Sequence, residues 1–193
     1  MPQNLAPKFD TPAVYVFPSA LGWLAVQWRD GRLCTLVFGW KSGAEAAGAL
    51  QDVARVPVAG WYDIGQDPKA AGVEIRRFAK RIQAYAEGRR DDFLDIPVAL
   101  DAVTDFQRRV LQQCRSIPYG QTLTYGELAA KAGFSGAARA VGGAMAGNRV
   151  PLVIPCHRVV GSSGLLRGYS GAGGVAMKQR LLDLEGAIGI FRR

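Results

Sequence analysis

The stretch "TYGELAAKAGFSGAARAVGGAMAGN", residues 124–148, decides the architecture of the second half of the chain. Thr124 and Glu127 stand in the S/T-x-x-E spacing of a capping box, where each side chain satisfies a backbone donor at a helix start. Gly133 suits the left-handed residue that closes such a helix, and Ser135 can cap a second one after a short turn. Two short helices joined by a glycine-containing turn predict a helix-turn-helix. The second helix is nearly all Ala and Gly, apart from Arg139, Val141 and Met145. Two residues advance a helix by about 200°, so Val141 and Met145 facing the core put Arg139 outside. A smooth helix with one projecting arginine can lie against a duplex. The same small residues also suit tight packing on a neighbouring helix, and the stretch alone leaves both readings open.

Upstream, Phe106, Val110, Leu111, Cys114 and Ile117 share one face of a helix that ends at "IPYG", because Pro118 disfavours helical geometry in the residue before it. The first half reads differently. "AVYVF" (13–17), "GWLAVQW" (22–28) and "RLCTLVF" (32–38) are β-branched or aromatic runs, and "RDGR" between the last two signals a hairpin. A short helix is expected over residues 42–53 and a longer one over 69–87. On the longer one Ile75, Phe78, Ile82 and Tyr85 form the apolar stripe, and Arg76, Arg77, Lys80 and Arg81 a solvated face. The boundary falls near residues 88–104. The expected fold is α+β: a small N-terminal α/β domain with an antiparallel sheet over 1–95, then a mostly helical C-terminal domain over 100–193 with a winged-helix-like helix-turn-helix.

Composition bounds the chemistry. The 193 residues are 49% hydrophobic and 21% charged, the balance of an ordinary globule. No apolar run reaches membrane-spanning length, which excludes a membrane protein of the helical kind. The first ten residues, "MPQNLAPKFD", lack the apolar core of a signal peptide, so a cytoplasmic location is expected. The three cysteines, Cys34, Cys114 and Cys156, are too sparse for a disulfide framework. With a single histidine they match no zinc-ligand spacing, so reduced thiols, no metal and no cofactor are expected. Cys34 and Cys114 sit in apolar patterns and read as small buried hydrophobes. The net charge of +8 is uneven: residues 100–193 hold 12 Lys/Arg against 5 Asp/Glu. A basic half fits a polyanion partner through phosphate neutralisation, and equally a merely soluble surface.

Cys156 and the only histidine, His157, lie side by side in "VIPCHRVVG", residues 153–161, between apolar pairs. Read as an extended segment, the two side chains point to opposite sides, so activation of the sulfur needs a water or a turn at the cysteine. An unperturbed thiol is only a few per cent thiolate near neutrality, and a reactive one needs a partner. In the last helix Met177, Leu181 and Leu184 mark an inward stripe that Glu185 continues. A carboxylate inside a helix C-terminus opposes the helix dipole and needs a cationic or hydrogen-bonding partner. His157 can be that partner, as can one of several arginines. A Glu185, His157, water, Cys156 relay would leave the imidazole as base.

"PCHRVV" (155–160), "ARAVGGAM" (138–145), "GN" (147–148), "YG" (125–126) and "GYSG" (168–171) together resemble the O6-alkylguanine-DNA alkyltransferases, also called methylated-DNA-protein-cysteine methyltransferases. The resemblance runs from Phe106 to Gly186, and the N-terminal half matches only in layout, as a domain that is not catalytic in this family. It implies direct-reversal DNA repair. On this resemblance Cys156 would be the alkyl acceptor, with His157 as its water-mediated base and Glu185 holding the histidine. The resemblance likewise implies that Asn148 would fix the active-site turn and Tyr125 would assist the departing guanine. Arg139 would, by the same resemblance, fill the stack left by the flipped nucleotide. The Val159 backbone, Tyr169, Ser170 and Met145 would border the base. The implied partner is double-stranded DNA carrying O6-alkylguanine, bound by a monomer, with no membrane and no cofactor. O4-alkylthymine and the preferred alkyl size stay open, because the loop after Tyr169 reads "SGAGG", two residues longer than the family's usual pattern. Without a second thiol near Cys156 or a cofactor, each molecule should react once. A lesion-binding helix-turn-helix protein without repair activity is the rival reading; it would not need Cys156. A cysteine hydrolase normally keeps its Cys and His far apart in sequence.

Overall fold

A computed structural model of the chain describes residues 13–55, 60–162, 166, 169 and 171–187. Three strands, β1 (Ala13–Ser19), β2 (Gly22–Arg29) and β3 (Arg32–Trp40), form an antiparallel meander. The hairpin expected at Asp30-Gly31 is present, with positive φ of 50° and 71° at those two residues, the twist that a two-residue connection needs. Helix α1 (Gly43–Ala54) follows, capped by Ser42, whose side chain accepts from the Glu45 amide. The antiparallel expectation is incomplete: β4 (Trp61–Asp63) joins the far edge parallel to β1, giving the order β3-β2-β1-β4. Three residues with two exposed aromatics carry no alternation to read.

Period-two alternation assigns the faces of this sheet. Val14 and Val16 point towards Ala46, Ala47 and Leu50 of α1, while Tyr15 and Phe17 point to the opposite side. There helix α2 (Val73–Ala86) covers the sheet with Ile75, Phe78, Ile82 and Tyr85, the stripe expected from the sequence. Its basic face is only partly solvated. Arg81 forms hydrogen-bonded ion pairs with Asp91 and Asp95 at 2.7–2.8 Å, pinning the following segment back onto the helix. Arg76 donates to the carbonyls of Pro68 and Ala71, while Arg77 and Lys80 are exposed.

The chain then runs along the free edge of β3. Leu33 donates to Pro97 and accepts from Ala99, and the Leu36 amide donates to the Arg149 carbonyl, so the second half is stitched to the first through backbone. Helix α3 (Asp105–Arg115) opens with a Thr104/Gln107 capping box and buries Val110, Leu111 and Cys114. A short strand β5 (Leu123–Thr124) leads into α4 (Tyr125–Lys131), where the Thr124/Glu127 box is formed as expected. The Phe134 amide reaches the Ala129 carbonyl and Gly133, at φ 85°, donates to Ala130, a Schellman closure. Helix α5 (Ala138–Ala146) begins later than the Ser135 cap predicted. Gly136 is left-handed at φ 85°, which keeps the chain non-helical there and leaves Ala137 as an N-cap without a side-chain bond. Strand β6 (Val159–Val160) pairs parallel with β5, and α6 (Gly174–Leu184) closes the fold. One apolar cluster runs from Tyr15 and Phe78 through Val110 and Val141 to Val159 and Leu181, crossing both halves.

Candidate active site at the Cys156 turn

The segment read as extended is a succession of turns. Leu152 takes a positive φ of 71°, Ile154 donates to Val150, and the Cys156 amide donates to the Ile154 carbonyl across Pro155, whose φ of −79° and ψ of 67° make an inverse γ-turn. Cys156–Arg158 is then one turn of 3-10 helix, and only Val159–Val160 is strand. The apolar flanks masked this, because Val153 and Ile154 are buried as turn residues. Asn148 binds the loop at both ends: Nδ2 donates to the Ile154 carbonyl at 2.8 Å, and Oδ1 accepts from the Val150 amide at 3.1 Å.

His157 is fully buried. Its Nε2 lies 2.9 Å from Glu185 Oε1, so Nε2 carries the proton and donates to the carboxylate. Nδ1 is left as the free base nitrogen, buried and without a hydrogen-bond partner among the described residues. Arg158 also holds Glu185, with Nε to Oε2 and Nη2 to Oε1 at 2.9 Å each. The sequence left histidine and arginine as alternative partners of Glu185; the fold uses both. Arg158 Nη1 reaches the Ile117 carbonyl at 2.5 Å and Asp92 at 3.0 Å. The Gly120 amide donates to Glu185 Oε2; Gly120 is left-handed at φ 76°, and a Cβ there would stand 3.0 Å from the Glu185 carbonyl oxygen.

Electrostatics follow from this burial. Desolvation alone would raise the Glu185 pKa, but the hydrogen bonds and charges of His157 and Arg158 outweigh it and hold the group well below the usual carboxylate range. Burial lowers the His157 pKa against the pull of Glu185, so the imidazole is neutral at physiological pH. Burial raises the Cys156 thiol; the Asn148 side chain, the Lys178 ammonium and nearby backbone amides pull it down without cancelling the rise. The resting sulfur is therefore a thiol that needs a base.

The remaining expected residues fall around it. Tyr125 opens α4, and Cys156 contributes to the upward shift of its phenol after burial. The Tyr169 hydroxyl is buried with no partner among the described residues, and its pKa is raised by burial and then by Cys156. Val159 is buried and its carbonyl accepts from Lys178 Nζ at 2.5 Å. Met145 packs in the core, and Arg139 on the same helix is exposed, as the helical phase requires. Ser170 and part of the longer loop lie outside the described residues. Cys114 is buried as expected; Cys34 is half-buried instead, because it falls at an irregularity in the β2–β3 pairing, where Trp28 pairs with Leu33 and Gln27 with Thr35 and Cys34 is left between them. It lines a cavity of about 590 Å³ between the halves that reaches Cys156, Asn148, Pro151 and Tyr169.

Sequence reasoning missed Tyr85 as a polar participant, Arg158 and Lys178. Lys178 was legible: it precedes Leu181, Leu182 and Glu185 by three, four and seven residues, and Lys178, Leu181 and Leu182 are the buried face of α6, which Glu185 continues at the C-cap. That face is turned from the expected Met177, Leu181, Leu184 stripe, whose outer members are only half-buried. No group of His, Cys, Asp and Glu among the described residues could hold a metal ion, and no described helix is long and apolar enough to cross a membrane.

The site thus joins a cysteine on a tight turn, backed by a buried His-Glu pair, to a helix-turn-helix with one exposed arginine, and this combination of fold and site defines its class. The profile of the 6-O-methylguanine DNA methyltransferase DNA-binding domain matches residues 105–187. The methylated-DNA--protein-cysteine methyltransferase of Methanothermobacter thermautotrophicus is 46% identical over 112 residues, 58% of this chain and 61% of that protein. Its Salmonella typhimurium namesake is 55% identical over 83 residues, 43% of this chain and 47% of that protein. The matched stretch thus spans less than two thirds of these relatives' length. Among solved structures, Mycobacterium tuberculosis OGT in complex with DNA superposes with a TM-score of 0.69 at 33% identity, covering 90% of this chain and 92% of that one. The O6-methylguanine-DNA methyltransferase of Pyrococcus kodakaraensis gives 0.66 at 26%, covering 90% and 98%. The chain belongs to the O6-methylguanine-DNA methyltransferase family.

Proposed function

We propose that this protein repairs DNA by moving the alkyl group of O6-alkylguanine onto its own Cys156. The observation that carries the reading is the free, buried Nδ1 of His157, held by Glu185 through Nε2 on the same turn as the sulfur. Through a bridging water, Nδ1 takes the proton of Cys156, and the resulting thiolate attacks the O6-alkyl carbon. The S–C bond forms as the O6–C bond breaks; its electron pair passes to the guanine ring, which accepts a proton with help from the Tyr125 hydroxyl. The product is a thioether, so one molecule repairs one lesion.

The base must leave the stack to reach a buried sulfur, and an alkylated guanine that pairs poorly is cheaper to extrude. Arg139, exposed on α5, fills the gap it leaves, and the basic second half neutralises phosphates. Val159, Met145, Tyr169 and Ser170 border the extruded base. The partner is duplex DNA bound by one copy of the chain, and an acceptor that must stay reduced suits the cytoplasm. The rival, lesion binding without repair, gives no role to the Cys156 relay.

Duplex DNA with a labelled O6-methyl group tests this. Label should pass to protein at up to one equivalent and vanish with Cys156→Ala. Catalytic turnover, or no transfer to well-folded protein, overturns it.

A further inference from the structure

Tyr85 belongs to α2 in the N-terminal half, yet its hydroxyl enters the network behind Cys156. It donates to Glu185 Oε1 at 2.5 Å and lies 3.5 Å from His157 Nε2. The side chain is 1% exposed, and its ring is held edge-on by Phe93 and Tyr119, with centroids 5.5 and 6.0 Å away. Glu185 Oε1 therefore takes three donors: Tyr85 Oη, His157 Nε2 and Arg158 Nη2. Oε2 takes Arg158 Nε and the Gly120 amide.

The arginine fork, the amide and the imidazole already satisfy a buried carboxylate, so the phenol is not needed to keep Glu185 ionised. It sits instead on the oxygen that meets the histidine. A carboxylate oxygen shared among more donors pulls less on each, and the phenol also blocks lateral movement of the imidazole. We propose that Tyr85 is a positioning residue for Cys156: through one hydroxyl, the N-terminal half sets the orientation of His157 and the share of Glu185's charge that reaches it. The purpose of this device rests on the alkyl-transfer reading above; its physics does not.

Other groups face the same ring. Arg158 on its own turn and Lys178 of α6 both oppose an imidazolium, Glu185 favours it, and the Cys156 thiol has Cys114 of α3 behind it. Tyr119 and Arg158 also face the Tyr85 phenol, which burial and then Glu185 keep protonated, well above its ordinary value. Removing the hydroxyl leaves all of these in place and lets more of the Glu185 charge act on Nε2–H.

His157 is the only histidine, so its ring nitrogens give one unambiguous set of NMR signals. Two variants are compared with the parent, Tyr85→Phe and Tyr85→3-fluorotyrosine, the second a stronger donor of nearly the same shape. The imidazole midpoint should rise in the first and fall in the second. The pH profile of Cys156 modification by iodoacetamide should be displaced along the pH axis in both. On its steep limb, rates at fixed pH should change roughly three- to tenfold, since each pH unit there carries a factor of ten. Midpoints equal to the parent's in both variants, or a uniform loss of rate without displacement, overturn the proposal and leave Tyr85 a packing residue. If Tyr85→Phe does not fold, the fluorotyrosine variant decides alone. Iodoacetamide needs no DNA, so a failure of labelled-DNA transfer and a failure of this coupling are read separately.

Discussion

Arg158 grips Glu185 with two parallel hydrogen bonds of 2.9 Å, and both side chains are at most 1% exposed. The pair joins the Cys156 turn to the C-cap of α6, while Asp92 and the Ile117 carbonyl fix the other end of the guanidinium. A buried charge without its counter-charge is costly, which makes this the most sensitive point of the site. Arg158→Met should destabilise the protein by about 3 to 5 kcal/mol in denaturant titration. Arg158→Lys should restore only part of that, having no fork to offer. Arg158→Met combined with Glu185→Met should lose less than the sum of the single changes; strict additivity would mean that the two act independently.

Asn148 spans the turn, so Asn148→Ala takes the side-chain acceptor from the amide of the buried Val150, leaves the Ile154 carbonyl with the Cys156 amide as its donor, and should cost about 1 to 3 kcal/mol. The same side chain helps to lower the Cys156 thiol, so its loss should shift thiol modification to higher pH. A variant as reactive as the parent at every pH would remove Asn148 from the sulfur's environment.

Arg139 is exposed and α5 is otherwise smooth, so Arg139→Ala should leave the melting temperature nearly unchanged. Transfer from duplex DNA should slow about tenfold to hundredfold, equivalent to roughly 1.4 to 2.7 kcal/mol in the barrier. Reaction with free O6-benzylguanine should be spared. Equal losses on both substrates would place the arginine in the fold and not in the stack.

Stability should fall with acid in two stages. The folded His157 pKa lies below its unfolded value of about 6.5, and the folded Glu185 pKa lies well below about 4.3. In each window the unfolded chain binds more protons, so stability is fully present above the unfolded pKa and drains as pH drops towards the folded one. Melting temperature should decline first just below pH 6.5, then more steeply below about pH 4.5. With one histidine in the chain, His157→Gln should flatten the first stage; an unchanged slope there would assign it elsewhere.

The helix-turn-helix was legible because its signals are local. The Thr124/Glu127 box, the Gly133 closure and the 200° step from Arg139 to Val141 each depend on neighbours within a few residues. Strand β4 and the true start of α5 were not legible. The first is held only by pairing with β1, the second by a left-handed Gly136 that competes with the Ser135 cap. The turn at Cys156 was hidden by its apolar neighbours, whose burial says nothing about strand or turn.

By itself, the sequence determined the three-stranded meander and the longer helices, the thiol with its adjacent imidazole, the carboxylate at the end of α6 and the arginine that faces out. All of these are consequences of helical phase, capping chemistry and residue type. Only the tertiary structure decided what surrounds Glu185: an arginine from the cysteine's own turn, an amide from Gly120 and a phenol from α2, a hundred residues away in sequence. No periodicity could assign Tyr85 a polar role, since its ring belongs to the apolar stripe and only the packing of the two halves brings its hydroxyl to the carboxylate.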